Sequence, residues 1–332
     1  MDYLGMLKGE QWIQISEDFD YLRATQDFVG LKLFPMFKTE NMKLAVADLV
    51  EGADVPVMAL VHALDTEARI GDRPDFKEIN YELLLVKEKL NQGEALRKKL
   101  KDLGMSNEEK AIMNAVFNDA ANLISRVLTR FEAMADEALC TGKLVINENN
   151  AEYNVDYNLP AEHRLTVSSW SSAAHDILGD LVKIKKLNKR IVRAYTSDKV
   201  MGYILGNTKV QTLATGLNAY ATEEWARNYI KNVIGIDFVV VGGTYKKSAQ
   251  DSTEYNFFDE DVITFATTDG TLGNTFVTSS PEEDYGIASR TEGFVSVTQW
   301  YSNDPAGVWT KASAIAFPAF RDVKQIYICT VA

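Results

Sequence analysis

Cysteine is almost absent from this sequence: its 332 residues include only Cys140 and Cys329. Small disulfide-stapled domains and zinc modules need several cysteines, or cysteine with histidine, at short spacings. Here the first cysteine falls near the end of a helical pattern and the second near the end of the last strand pattern. The sequence therefore indicates neither a disulfide framework nor a metal-ligand pair, and it predicts two buried thiols.

Histidine and the short motifs of enzyme chemistry are also scarce. The three histidines, His62, His163 and His175, show no metal-ligand spacing, and the consecutive acids at residues 259–261 lack the glycine and the spacing of a calcium loop. The sequence contains no G-x-S-x-G, G-x-G-x-x-G, Walker loop, H-E-x-x-H or C-x-x-C motif. We therefore predict a protein that is not an enzyme, with no catalytic residue, no cofactor and no metal site.

Basic residues are outnumbered, with 35 lysines and arginines against 47 acidic residues and a net charge of -12 at pH 7. Specific nucleic-acid binding usually requires a basic face. The basic clusters are confined to residues 97–101 and 183–193, and the second cluster predicts the solvated side of a helix. The net charge therefore argues against specific nucleic-acid recognition. A container that encloses nucleic acid without binding it tightly is compatible with this charge.

Long hydrophobic runs are absent as well. The most apolar windows, residues 55–64 and 236–241, are too short to span a bilayer, and no signal-peptide pattern opens the sequence. We therefore expect no membrane partner and synthesis in the cytoplasm. With 46% hydrophobic residues the chain can bury a sizeable core, and its length predicts two or three domains.

What the sequence does contain is one long amphipathic helical pattern over residues 106–141. Ser106 and Glu109 form an S-x-x-E capping box at its start, and Gly142 follows its end, where a left-handed cap is needed. Apolar residues recur at helical spacing through the whole stretch, without a proline. Such a helix is roughly 50 Å long at ~1.5 Å per residue. Alternating residues within 143–158 then predict a β-hairpin beside it.

The first hundred residues follow a different pattern. Residues 31–50 are predicted to be extended, and two apolar runs at 55–64 and 76–86 enclose a polar stretch with glycine and proline, which predicts a long hairpin. A two-stranded ribbon is marginally stable in water unless something covers it, so we expect this hairpin to need a neighbour. The charged residues 88–103 are predicted to be helical.

The remaining residues alternate between helix and strand patterns. This mixture predicts an α+β protein with a split domain. The predicted helices cover residues 171–187, 198–213 and 222–233, and the predicted strands cover residues 236–241, 262–266, 275–278, 294–300, 312–317 and 326–331.

This order of elements, together with particular stretches of sequence, resembles a known family. The first stretches are LFPMF, then DVPVMALVHALDTEARIGDRPDFKEINYELLLVKEKLNQGE, then the long helix and YNVDYNLP. The C-terminal stretch WYSNDPAGVWTKASAIAFPAFRDVKQIYICTVA is similar too, with its Asp304-Pro305 step and its late proline, Pro318. Together these stretches resemble the lambda-type major capsid proteins of tailed phages, the capsid E family. The resemblance spans nearly the whole chain and implies the α+β Hong Kong 97-type capsid fold.

That fold implies a division of the chain into successive parts. The arm and the hairpin reach outward, and the two domains form the body of the subunit. The parts are an N-terminal arm at residues 1–54, an extended E-loop hairpin at 55–86, a P-domain at 87–165 with its spine helix at 106–141, an A-domain at 166–311, and a C-terminal return to the P-domain at 312–332.

The resemblance also implies a function, that of the major capsid protein of a tailed double-stranded DNA bacteriophage. Copies of the chain would self-assemble into pentamers and hexamers that form an icosahedral head, located in the virion and assembled in the host cytoplasm. The packaged DNA would be enclosed without sequence-specific binding. The implied protein partners are a portal protein and a decoration protein. Because the sequence opens without a long, highly charged helical leader, we also expect a separate scaffolding protein.

Within this interpretation, several arm and hairpin residues are predicted to contact neighbouring subunits. The apolar ones would be covered by the next subunit, and the charged ones would form intersubunit ion pairs, although solvated charges explain them equally well. The apolar set is Phe34, Phe37, Val57, Met58 and Leu60, and the charged set is Arg69, Arg73 and Glu78. Some relatives join a hairpin lysine to a neighbouring asparagine, but nothing distinguishes Lys77 from a surface lysine, so we expect no crosslink.

Two alternatives stay open from the sequence. An encapsulin-type bacterial compartment has the same fold, and an enzyme cargo in place of DNA would identify it. A soluble α+β binding or catalytic protein is favoured only by the helix and strand pattern of residues 171–241. A discrete monomer or dimer that never forms particles would identify this second alternative.

Overall fold

The computed structural model describes residues 28–49, 76–94, 108–148, 151–217, 219–248 and 250–331. Its helices are α1 (Val29–Leu33), α2 (Glu108–Thr141), α3 (Ile177–Leu187), α4 (Asp198–Gly206), α5 (Thr208–Gly216), α6 (Glu223–Val233) and α7 (Pro281–Asp284), with 3-10 turns at Ala161–His163 and Val323–Gln325. Its strands are β1 (Met36–Lys38), β2 (Lys43–Leu49), β3 (Phe76–Glu82), β4 (Leu84–Gly93), β5 (Lys143–Glu148), β6 (Ala151–Asp156), β7 (Arg164–Val167), β8 (Arg193–Thr196), β9 (Asp237–Val240), β10 (Thr244–Tyr245), β11 (Tyr255–Asn256), β12 (Val262–Ala266), β13 (Gly273–Thr278), β14 (Arg290–Glu292), β15 (Val295–Asn303), β16 (Ala306–Phe320) and β17 (Ile326–Val331).

The helix α2 is 34 residues long and is followed directly by Gly142. Gly142 has a φ of 65° and its N–H donates to the carbonyl of Ala138 at 2.9 Å, which is the left-handed cap that the sequence predicts. One face of α2 is buried from Ala120 to Cys140. The predicted spine helix is confirmed over its described length, and residues 106–107 lie outside the described residues.

A six-stranded sheet packs against α2 and is built around the 15-residue strand β16. β4 pairs with one edge of β16, and β13 and β15 pair end to end along the other edge. β1 and β14 lie outside β13 and β15 respectively. Ala312, Ala314 and Ala316 are wholly buried, and their small side chains let α2 approach the sheet closely.

A second sheet, in the order β7-β17-β12-β8-β9, lies between the two hydrophobic cores. In its central strand, Ile263 and Phe265 belong to the core that α3, α4 and α6 share, whereas Val262 and Ala266 belong to the core around α2. The Thr264 hydroxyl donates to the carbonyl of Leu139 in α2 at 2.7 Å. All of β12 is buried, which explains why four of its five residues are apolar.

The hairpin starts earlier in the chain than the sequence predicts. β3 pairs with β2, so that Phe76 lies opposite Leu49 and Glu82 lies opposite Lys43, whereas the prediction paired residues 76–86 with residues 55–64. The last residues of the predicted hairpin belong instead to β4 in the six-stranded sheet. The alternation of apolar and polar residues within β2 is weak. The register between strands that are distant in sequence depends on which strands pair, and the local pattern does not show this.

The strand β4 corrects a second prediction, which was a helix over residues 88–103. Leu84–Gly93 pairs with β16 along its whole length, and residues 95–103 lie outside the described residues. Lysine and glutamate favour a helix by only a few tenths of a kcal/mol per residue, and tertiary pairing routinely overrides such preferences.

Most other predicted elements are confirmed with shifted ends. Val262–Ala266 and Ile326–Val331 match the predicted strands, and Thr222 caps α6 as the pattern indicates. The helix predicted over residues 198–213 is two helices, because the Asn207 side chain accepts hydrogen bonds from the first turn of α5 and starts a new helix there. The helix predicted from residue 171 begins only at Ile177.

Sheet membership refines the predicted division of the chain. β13 and β15, which the prediction places in the A-domain, lie with β16 in the sheet beside α2, the predicted spine helix of the P-domain. The final strand β17 lies in the second sheet, between β7 and β12. The limits of the arm, hairpin and domains otherwise stay a prediction.

Both cysteines are buried and unpaired, as the sequence predicts. Burial raises the pKa of the Cys140 thiol well above its usual range and raises the pKa of Cys329 to about 12, so both thiols are unreactive. No helix among the described residues combines the length and the apolar character that crossing a bilayer requires.

Candidate functional site

A groove of about 1800 Å³ runs along α2, between β4, the β5–β6 hairpin and the chain that follows β9. Pockets for small molecules usually measure ~300–1,000 Å³. The groove therefore has the size of a site for a segment of polypeptide. Its residues come from stretches of sequence that lie far apart, and the fold alone brings them together.

The floor of the groove is apolar. Val127 and Met134 of α2, Leu84 of β4 and Ile146 of β5 line it, and all of them reach into the core beneath. Leu85 lines the β4 wall and leaves 42% of its surface exposed. Removing such apolar surface from water contributes ~25 cal/mol per Å² to a contact, before the costs of association are subtracted.

Charged side chains surround this floor. Arg126 pairs with Glu88 across the groove wall, and Arg130 pairs with Glu148 at 3.2 Å. Both pairs are partly exposed, so each contributes at most ~1 kcal/mol to stability. The basic lining residues are Lys87, Arg126, Arg130, Lys246 and Lys247, and the acidic ones are Glu88, Glu132 and Glu148.

The wall opposite β4 is aromatic. Gly243 has a φ of 104°, a conformation that glycine adopts without strain, and it leads the chain from β9 into the short β10–β11 ladder. Tyr245 stacks on Tyr255 at 5.7 Å between ring centroids, and Phe257 packs edge-on against Phe28 at 5.8 Å. Phe28, which belongs to the predicted arm, therefore lines this groove.

Beyond Phe28 the chain is anchored in the core. The N–H of Leu272 donates to the carbonyl of Leu33 at 3.0 Å, and the Thr275 hydroxyl donates to the carbonyl of Phe34 at 2.8 Å. Phe34 itself is wholly buried and packs edge-on against Phe320, with ring centroids 5.1 Å apart. The assignment of Phe34 to a subunit interface is therefore wrong, since its own chain already covers it.

The other predicted contact residues stay predictions. Phe37 lies on the edge strand β1, is 55% exposed and packs one ring edge against Phe276. Glu78 lies in β3 opposite Ala47, and only its backbone is described. The predicted contacts that lie outside the described residues are Val57, Met58, Leu60, Arg69 and Arg73.

The structure also has a second exposed apolar surface, which the sequence pattern did not predict. β13 and β15 pair consecutively with β16, and residues 279–289 leave the sheet between them before β14 rejoins it. Tyr285 and Ile287 in this excursion are 81% and 57% exposed. Exposed apolar groups of this size often mark contact surfaces.

The excursion is held to the sheet by Glu282. This carboxylate accepts a hydrogen bond from the Ser313 hydroxyl at 2.7 Å and pairs with Lys311. Burial alone would raise the pKa of Glu282, but the bonds from Lys311 and Ser313 outweigh it and lower the pKa to about 2. The ionised carboxylate therefore fixes the excursion over the face of β16 that is turned away from α2.

Lys311→Met should destabilise the chain by about 1–3 kcal/mol at neutral pH, because it leaves the almost buried Glu282 carboxylate without its charged partner. The folded-state pKa of Glu282 is depressed, so this stabilisation is present above the unfolded pKa of about 4.3 and is lost as the pH falls towards 2. Urea unfolding at several pH values measures the effect. Lys143→Met, which removes an exposed pair with Asp156, is the matched control and should change little. An equal loss in both variants would contradict the anchoring role.

Known structures share this architecture from end to end. The putative capsid protein of a prophage of E. coli CFT073 superposes with a TM-score of 0.61 at 15% identity, covering 96% of this chain and 99% of that one. A phage-related protein from Bordetella bronchiseptica RB50 gives a TM-score of 0.57 at 13% identity, covering 95% of each chain. A subunit of the mature capsid of bacteriophage PhiM1 gives 0.51 at 8% identity, covering 92% and 86%. No curated protein matches the chain in sequence.

At identities this low, structural likeness establishes the fold, which is that of the Hong Kong 97-type phage capsid proteins. The sequence settles the family. The profile of the family described as phage major capsid protein E matches residues 19–331, and the chain belongs to this family. The predicted fold class and family are thereby confirmed. A match over nearly the whole chain favours a phage capsid protein over an encapsulin and over a soluble binding or catalytic protein.

Proposed function

We propose that copies of this chain assemble side by side into pentamers and hexamers, and that these rings form an icosahedral shell around double-stranded DNA. Head-to-tail contacts between identical subunits close into rings when the rotation between them permits. The observation that carries the proposal is the apolar groove along α2, whose floor and walls are a surface that another chain can cover.

The cover we propose is the hairpin of the neighbouring subunit. Residues 50–75 connect β2 to β3, and a two-stranded ribbon needs a covering surface to be stable. The charges of the two surfaces support the match. Residues 50–75 contain six acidic and two basic residues, whereas the described groove lining contains five basic and three acidic residues. Opposite charges around an apolar contact favour correct alignment of the two surfaces.

The acidic balance of the chain supports enclosure of DNA without sequence-specific binding. A net charge of -12 repels the phosphate backbone, so the packaged DNA would be confined by the shell rather than held by contacts to it. Assembly in the host cytoplasm, a separate scaffolding protein, a portal protein and a decoration protein stay predictions, as does the absence of a covalent crosslink at Lys77.

Negative-stain electron microscopy of the full chain, expressed alone and together with the neighbouring reading frames, tests the proposal. We expect closed shells of uniform size when the assembly partners are present, and fewer or irregular shells from the chain alone. Monomers or dimers at every concentration would contradict the proposal. An enzyme cargo in place of nuclease-protected DNA would identify a bacterial compartment instead, and uniform shells from the chain alone would contradict the need for scaffolding.

A further inference from the structure

Two carboxyl groups, Glu132 and Asp136, lie one turn apart on the buried face of α2. The structure exposes 2% of Glu132 and none of Asp136. Two neighbouring negative charges are very unfavourable in a low-dielectric core, and such pairs normally keep one proton between them. The pair lies where the arm segment, residues 28–34, meets α2.

Glu132 holds the arm segment by its backbone. The N–H groups of Gly30 and Leu31 donate to the two oxygens of Glu132 at 2.8 and 2.7 Å. The contact is close as well as polar, because a Cβ built on Gly30 would lie 2.8 Å from the Cβ of Ala135 and 3.1 Å from Oδ1 of Asp136. Glycine is therefore required at residue 30, and the arm backbone rests directly on the carboxyl pair.

Asp136 has no such partners. In the part of the chain that the structure describes, neither of its oxygens has a hydrogen-bond donor. The titratable and charged groups around the pair are Lys32 on α1, which lies towards Glu132, the Cys140 thiol on α2, and Asp259, whose N–H donates to that thiol at 3.3 Å. No cation among these faces Asp136, so an ionised Asp136 would be a buried charge without compensation.

The electrostatics agree with this geometry. Burial, followed by the adjacent Glu132, raises the pKa of Asp136 well above its usual range, so Asp136 keeps its proton and donates a hydrogen bond to Glu132. Burial also raises the pKa of Glu132 to about 7, against the opposing effect of the Leu31 and Gly30 N–H groups. The two residues titrate as a coupled pair with one tightly held proton.

We propose that the proton shared by Glu132 and Asp136 is a latch that keeps the arm segment docked on α2. With one proton on the pair, Glu132 remains an acceptor for the arm backbone and Asp136 is neutral. When that proton passes to solvent, two adjacent buried carboxylates repel each other, and water can reach them only if the arm segment leaves. A group whose folded-state pKa is raised stabilises the docked state at lower pH, so docking weakens as the pH rises through the titration of the pair. The latch does not depend on the proposed shell function.

Hydrogen exchange of the arm segment in the full-length chain measures the latch directly, because the N–H groups of Gly30 and Leu31 are the groups that Glu132 holds. After correction for intrinsic exchange, wild-type protection of residues 28–34 should fall about tenfold per pH unit between neutral pH and the raised pKa of the pair, where undocking releases one proton, and should level off above that pKa. Asp136→Asn, whose neutral amide can still donate to Glu132, keeps only the titration of Glu132, so its protection should stop falling above about pH 7, where wild type still loses protection. Glu152→Gln, at an exposed carboxylate of β6, is the matched control and should behave as wild type.

Equal pH dependence in wild type and Asp136→Asn would overturn the latch, and so would flat wild-type protection. α6 serves as an internal reference that should not respond to the pair. If Asp136→Asn fails to fold, infrared titration of the wild-type protein still tests the latch. A protonated carboxyl band must persist at neutral pH and must disappear at the pH where the arm protection levels off. Absence of that band would overturn the latch. Glu132→Gln should lower arm protection at every pH and, because Asp136 stays buried, should keep part of its dependence on pH.

Discussion

Leu85→Asp is expected to give folded subunits that do not close into shells. Leu85 lies on the β4 wall of the groove with 42% of its surface exposed, so a carboxylate there stays hydrated in the single subunit. In the proposed shell the neighbouring hairpin would bury it, and a buried charge without a partner costs several kcal/mol. Because every copy carries the same penalty, particle yield should fall to background in sedimentation and electron microscopy, while urea unfolding of the subunit stays close to wild type.

The control for this experiment is Val145→Asp. Val145 is also an exposed apolar residue, but it alternates with Ile146 on β5 and so points away from the groove that Ile146 lines. This variant should assemble like wild type.

Met58→Asp places the same charge on the hairpin side of the proposed contact, and it should also stop assembly and leave the subunit soluble. Normal shells from Leu85→Asp would remove the groove from the contact, and normal shells from Met58→Asp would remove the hairpin.

The elements that could be predicted from the sequence are those whose signals are local. α2 shows helical spacing throughout and a glycine cap at its end, and α6 begins at Thr222, whose side chain accepts from the N–H of Trp225. β12 is buried on both faces and therefore consists of apolar residues apart from Thr264. In each case the residues that define the element are its own, so the pattern is complete within a short window.

The elements that could not be predicted depend on distant partners. β4 contains consecutive charged residues and resembles a helix locally, yet Gly93 pairs with Gly307 and Leu84 with Ala316 across the length of the chain. The pairing of β2 with β3 has the same origin, since nothing near residues 43–49 shows which strand they meet. Pairing with a distant strand stabilises each of these strands, and the local sequence does not reveal this contribution to the free energy.

The candidate site could not be predicted from the sequence for the same reason. The resemblance led to the expectation that apolar hairpin residues need a covering surface, but the groove that offers one is assembled from α2, β4, β5 and the chain after β9. No spacing rule connects these stretches. The pair Glu132 and Asp136 was equally hidden, because two acids one turn apart on a helix usually mark a solvated face, and only the arm packed over them reveals their burial.

Phe34→Ala is expected to destabilise the subunit by about 3–5 kcal/mol, the usual cost of emptying a buried phenylalanine site. The Phe34 ring lies against Phe320 and against the backbone of Gly273, where an added Cβ would approach the ring to 2.7 Å, so the surroundings cannot collapse easily into the cavity. Phe37→Ala, three residues on, removes a ring that is 55% exposed and should change stability by less than about 1 kcal/mol.

Urea unfolding and particle yield together separate the two positions. The sequence places both phenylalanines in one apolar arm and predicts the same role for them, whereas the structure buries one and exposes the other. Loss of stability is therefore expected for Phe34→Ala alone, and loss of assembly without loss of stability for Phe37→Ala. If Phe34→Ala kept its stability and lost only assembly, Phe34 would be an interface residue after all, and the docking of the arm segment on the core would be wrong.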